Sequence, residues 1–213
     1  MGSEESNQTQ LMQRIKRFLN RLLTFAEFWI VYSLGKVFGI SIIVRYLKNP
    51  NPQITVKLLR KFGATIGEKT TIKRSLLIDN AYEDKNSAGD FSYLYIGENC
   101  YIGDSVYFDL ANKIILDNNV VISGQVSFIT HADCNRSNFL AQKFPRKCQS
   151  IFVNNGAWIC FKATILSGVK VGKNSVVAAN ALVRENVNSF TVYAGLPAKN
   201  IKNLDNSGKT MDL

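Results

Sequence analysis

One histidine occurs among the 213 residues, His131, in the stretch FITHAD. An imidazole titrates near neutrality, so a well-placed ring can take up and return a proton at physiological pH. Two carboxylates could orient such a ring: Asp133, close by in the chain, and Asp109 in the segment YFDLANK. Each could equally be a solvated turn residue. Cys134 lies near the histidine and would be a nucleophile if the imidazole ionised it, but nothing around it marks a stabilised thiolate. A lone histidine more often serves structure than catalysis, and position alone leaves both readings open. The four cysteines, Cys100, Cys134, Cys148 and Cys160, form no C-x-x-C pair. That spacing supports neither a disulfide framework nor a metal site, and it agrees with a reducing compartment.

The element that must position these groups is a repeat. Residues 153–186 divide into VNNGAW, ICFKAT, ILSGVK, VGKNSV, VAANAL and VRENVN. Each six opens on an aliphatic residue: Val153, Ile159, Ile165, Val171, Val177 and Val183. A period of six fits no single helix face, but it returns the same face of a strand each time. The fourth column reads Gly156, Lys162, Gly168, Asn174, Asn180 and Asn186, nearly all residue types that tolerate left-handed backbone angles. A short strand and a corner in every six residues make a coil with flat faces, which is the signature of a hexapeptide β-helix.

The motifs AWICFKATILSGVKVGKNSVVAANALV, VYAGLPAKNI and ISGQVSFITHAD resemble the hexapeptide-repeat acyltransferases, and most of all the sugar O-acetyltransferases that modify maltose, galactosides or surface polysaccharides. The likeness covers roughly residues 60–202. It implies a mainly β fold, a left-handed parallel β-helix with three sixes to each coil. It also implies acetyl-CoA as co-substrate, a saccharide acceptor and a homotrimer with active sites between neighbouring subunits. His131, at the family's TH motif, would be the general base that takes a proton from a sugar hydroxyl as its oxygen attacks the thioester. Asp109 falls where relatives carry a polar active-site residue, often Asn; Asp109 and Asp133 are then candidates to orient the imidazole or contact the sugar. Trp158 resembles the Trp of a V-W-I-G signature that lines the acyl-CoA channel, with Cys160 here in place of Gly. Phe161 and Ala179 match positions whose amides meet the pantetheine arm, and Arg184, Lys199 and Lys202 are candidates for the CoA phosphates. The alternatives are N-acetylation of an amino sugar and a non-catalytic scaffold on the same coil. A β-helix carbonic anhydrase is excluded, because it needs three histidines at one metal.

The rest of the chain reads in order. Residues 1–10 are polar and expected to lack structure. Residues 11–47 are helical, basic and aromatic, too interrupted by charge to span a membrane. They would lie at a membrane interface, placing a cytoplasmic protein on the inner face of the membrane, or pack on the coil or against another subunit. Pro50 and Pro52 break this pattern, a short basic helix follows over 54–62, and Gly63 stops it. We expect the helical region over 1–60, the β-helix over 61–202 and a tail over 203–213. Two departures from the period stand out, a loop at 79–92 and an excursion at 132–152, with a two-residue irregularity near 110–113. Lys and Arg number 26 against 16 Asp and Glu, a formal charge of +10. This suits an anionic partner or simple solubility; no groove-reading motif points to nucleic acid.

Overall fold

The structure is a computed structural model, and it describes residues 2–134 and 136–204. Among the described residues there are four helices: α1 (Gly2–Phe38), α2 (Ile40–Tyr46), α3 (Pro52–Lys61) and α4 (Asn138–Lys143). The helix thus runs through the polar start that the sequence led us to expect without structure. Most of the tail over 203–213 lies outside the described residues.

Between α3 and the carboxyl end the chain winds through short parallel strands that fall into three sheets. Successive strands step from one sheet to the next, so every third strand pairs: Trp158 with Val176, and Thr164 with Leu182. The result is a three-sided parallel β-helix. The opening residue of each six points inward, as a two-residue strand allows only one inward position. Ile102, Ile122, Ile159 and Val177 stack in one column, and Ile78, Phe108, Phe128, Ile165 and Val183 in another; each is buried. Within the second column the rings of Phe108 and Phe128 stack at 5.3 Å between centroids.

The corners follow the fourth column. Gly156, Lys162, Gly168, Asn174 and Asn180 all have φ between 51° and 82°. Asn186 does not; its side chain instead accepts a hydrogen bond from the Lys170 amide. Lys162, with φ 59°, takes the left-handed corner without being Gly or Asn.

Both ends of the helix are covered, as an open coil would expose unpaired backbone and core. At the amino end α3 buries Leu58 and Leu59 against the first coil, and Arg60 Nε donates to the Ile66 carbonyl at 2.9 Å. Asn51 caps α3 by accepting from the Gln53 amide, and Gly63 ends it with φ 106°. At the carboxyl end Thr191–Gly195 and Ala198–Asn203 form an antiparallel hairpin on the last coil. In the 132–152 excursion His131–Ala132 pairs antiparallel with Lys147–Cys148, and α4 lies in the span between them.

Candidate active site

Asp109 ends the strand Tyr107–Asp109, and its side chain is buried, with 1% exposed. A buried carboxylate is costly unless its oxygens are satisfied, and here five donors converge on it. Oδ2 accepts from His131 Nδ1 (2.7 Å), the Thr130 amide (2.8 Å) and the His131 amide (3.0 Å). Oδ1 accepts from Asn80 Nδ2 (2.9 Å) and the Ala111 amide (3.2 Å). Burial by itself would raise this carboxyl's pKa, but the bonds from His131, Asn80 and the Ala111 amide outweigh it and hold the pKa below its ordinary value. Asp109 is therefore an anion at neutral pH. Since a carboxylate only accepts, the proton between the two groups sits on Nδ1, which leaves Nε2 as the acceptor nitrogen of the ring. The imidazole is a quarter exposed, and Nε2 makes no hydrogen bond among the described residues.

The strand that carries His131 is fixed just as firmly. Thr130, fully buried, donates its hydroxyl to the Asp109 carbonyl at 2.8 Å and accepts from the Asn112 amide at 3.1 Å. Its carbonyl accepts from the Gln149 amide and the Ser167 hydroxyl. The two extra residues expected near 110–113 are a turn: Leu94 pairs with Ile114 two residues later than an eighteen-residue coil would allow. That turn wraps Asp109 and brings Asn112 to Thr130, to the Cys148 carbonyl and to Ser150. Asn80, with φ 55° at the start of the 79–92 loop, and Asn112 are site residues that the sequence reading missed. The available signal was the pair of period breaks in which they lie.

Asp133 does not reach the imidazole. Its carboxylate is bound by Arg146, which also binds Asp84 at 2.6 Å and so ties the excursion to the 79–92 loop. Cys134 contacts the Phe144 carbonyl at 3.6 Å and is not bonded to the histidine. The cysteine opposite His131 in the hairpin is Cys148, whose thiol faces the Ala111 carbonyl at 3.4 Å.

A second feature lies on the face formed by the uninterrupted coils. A groove of about 620 Å³ is lined by Trp158, Phe161, Ala179, Val192, Ile201 and Lys202, among others. Trp158 stands at its edge with Nε1 donating to the Ser123 hydroxyl at 3.2 Å. Cys160 also lines it; burial pushes its thiol up to about 11, so it is un-ionised at neutral pH. Four of the residues expected at a CoA site, Trp158, Phe161, Ala179 and Lys202, thus line one mainly apolar groove. Arg184 and Lys199 do not join them, because both pair with Glu185 instead. His131 does not line this groove either: it follows the strand Ser127–Phe128 of a different sheet.

No group of three His, Cys, Asp or Glu among the described residues is arranged to hold a metal ion. No family model matches the chain. The galactoside O-acetyltransferase of Lactococcus lactis is 22% identical over 174 residues, which cover 76% of this chain and 77% of that protein. The crystal structure of a maltose O-acetyltransferase from Clostridium difficile superposes with a TM-score of 0.63 at 20% identity, covering 76% of this chain and 82% of that one. A hexapeptide-repeat acetyltransferase of Vibrio cholerae, crystallised with acetyl coenzyme A, superposes with a TM-score of 0.55 at 20% identity over 75% and 81% of the two chains. Two fungal relatives are spanned over 60% and 80% of their own lengths. In repeat and coil the chain is thus a left-handed hexapeptide β-helix, and its homologues are galactoside and maltose O-acetyltransferases and other hexapeptide-repeat acetyltransferases.

Proposed function

We propose that this protein transfers an acetyl group from acetyl-CoA to a saccharide hydroxyl, with His131 as general base. The observation that carries the reading is the ionised, buried Asp109 bonded to His131 Nδ1 at 2.7 Å, which leaves Nε2 to accept a proton. A hydroxyl placed against Nε2 would lose its proton to the ring as its oxygen becomes the nucleophile. Asp109 stabilises the imidazolium that forms, and Thr130 and Asn80 keep both groups aligned. Acetyl-CoA supplies the activated acyl thioester. Once protonated, His131 returns the proton to the departing thiolate, so no covalent bond to the protein is needed. The groove fits a long, thin, mainly apolar arm: Trp158 and Phe161 offer ring faces, and Lys202 a cation toward phosphate.

Groove and imidazole lie on different parts of one subunit, so neither alone makes a complete site. A homotrimer that sets the groove of one copy against the histidine of the next would join them, and we adopt that assembly. The Vibrio cholerae protein bound to acetyl coenzyme A supports the co-substrate, and the galactoside and maltose enzymes support the acceptor class.

The test is a panel of sugars incubated with acetyl-CoA, following free thiol, with wild type and His131→Ala side by side. Histidine-dependent thiol release with neutral sugars supports the reading. Release with amino sugars alone makes the protein an N-acetyltransferase. If no acceptor works and millimolar acetyl-CoA leaves the melting temperature unchanged, the coil is a scaffold and the proposal fails.

A further inference from the structure

The helix α1 has two faces with different fates. From Thr24 onward one face meets the body of the protein. Thr24 bonds Gln53, Glu27 accepts from Tyr46 (2.6 Å) and Asn51 (2.8 Å), and Phe28 and Val31 are buried with Ile43, Val44 and Leu47. Of the residues 11–47 expected at a membrane, those after 38 are thus mainly packing. Residues 8–23 are all exposed and run on beyond this contact as a single helix.

The exposed length carries a wide apolar stripe. Leu11, Ile15, Phe18, Leu22, Phe25 and Trp29 recur at alternating spacings of four and three, with Met12, Leu19, Leu23 and Ile30 beside them, all exposed. At about 100° per residue this stripe points roughly opposite to the face bearing Thr24, Phe28 and Val31. It therefore looks away from the body of the subunit, and no element among the described residues covers it. Arg14 and Arg21 border the stripe on one side and Lys16 on the other, while Arg17 lies on the polar face. No Asp or Glu occurs between residues 8 and 26.

We infer that residues 11–30 of α1 are an interfacial helix that docks this protein on an anionic lipid surface. A second copy of the helix is the competing occupant, since a four-three spacing also suits a coiled coil. Charge decides between them. A partner copy would set Arg14, Lys16 and Arg21 against the same cations, with no acidic residue along the segment to pair with them. An anionic headgroup layer meets the three flanking cations, Arg14, Lys16 and Arg21, at once and takes Phe18, Phe25 and Trp29 into its boundary region. No helix among the described residues is long and apolar enough to cross a membrane, so the helix lies along the surface. Acetyl transfer plays no part in this argument.

Flotation of the full chain with vesicles tests the inference. One set is phosphatidylcholine, the other equal parts phosphatidylcholine and phosphatidylglycerol. The expected result is flotation with the anionic vesicles only, at least tenfold weaker for Phe18→Glu with Leu22→Glu, and weakened also by Arg14→Glu with Arg21→Glu. These side chains are exposed, so the melting temperature and acetyl transfer to a soluble sugar should stay as in wild type. Equal flotation by wild type and both variants, or none by wild type, overturns the inference. So does a fall in solution mass for the Phe18→Glu, Leu22→Glu variant without vesicle binding by wild type, which assigns the stripe to a second copy.

Discussion

Two stretches of the same β-helix are built on one rule and do different work. From Ile151 to Val183 the sixes run without interruption, corners fall on schedule, and the outcome is a smooth apolar wall that carries Trp158, Phe161 and Ala179. From Thr65 to Ala132 the same columns of aliphatic side chains persist, but three breaks intervene: the 79–92 loop, the turn after Asp109 and the excursion that starts at His131. Every residue bonded to the Asp109 side chain comes from, or borders, one of those breaks. Regular coils place side chains in ladders of like with like, since each residue stacks on its counterpart one coil away. A site that needs unlike groups in contact needs the chain to leave the ladder. On the proposed function the wall binds and the broken region moves a proton.

That contrast makes the broken region sensitive in rate and the regular one in affinity and stability. The largest effect is expected for His131→Ala, with turnover lowered at least about a hundredfold and melting unchanged. A loss under about tenfold by thiol release removes the general-base role. Asp109→Asn should lower turnover about tenfold to a hundredfold, because an amide no longer enforces the Nδ1–H tautomer. The same variant has a pH signature. The folded pKa of Asp109 lies below its unfolded value, so its contribution to stability is present above about pH 4 and is lost as the pH falls through the folded value. Acid melting curves should therefore be shallower for the variant; parallel curves would mean that Asp109 is not held as an anion.

In the regular coils Phe161→Ala should raise the KM for acetyl-CoA several-fold, up to about tenfold, with kcat preserved, as expected when binding alone is weakened. A fall in kcat instead would place the ring at the reacting centre. Ile159→Val removes one methylene from a fully buried column and should cost about 0.5–1.5 kcal/mol in denaturant unfolding with turnover intact. The smallest change is a gain: Lys162→Asn relieves a lysine at φ 59° and should add about 1 kcal/mol or less. Destabilisation there would show that the Lys162 ammonium, over the Phe161 ring at 5.3 Å from its centroid, stabilises the corner.

Much of this architecture was legible in residue order. The inward columns, the left-handed corners at Gly156, Gly168, Asn174 and Asn180, the two excursions and the extra turn near 110–113 can all be read off the sixes. What was not legible shares one cause. Arg146 was unremarkable in the chain, yet it holds Asp133 and Asp84, which lie far apart in sequence. Asn80 meets Asp109 because adjacent coils put residue 79 beside residue 109. Arg184 and Lys199, both basic and near the end of the repeat, turn to Glu185 rather than to the groove.

By itself the sequence determined the coil, because a period of six restates the same local choice, strand then corner, and local choices depend on near neighbours. It also singled out His131 and Trp158 by type and motif. Tertiary structure alone decided which carboxylate holds the imidazole, Asp109 rather than Asp133, and which face of α1 is left uncovered. Both depend on where distant segments come to rest. Coil stacking fixes the first, and the packing of Phe28 and Val31 on α2 and α3 fixes the second.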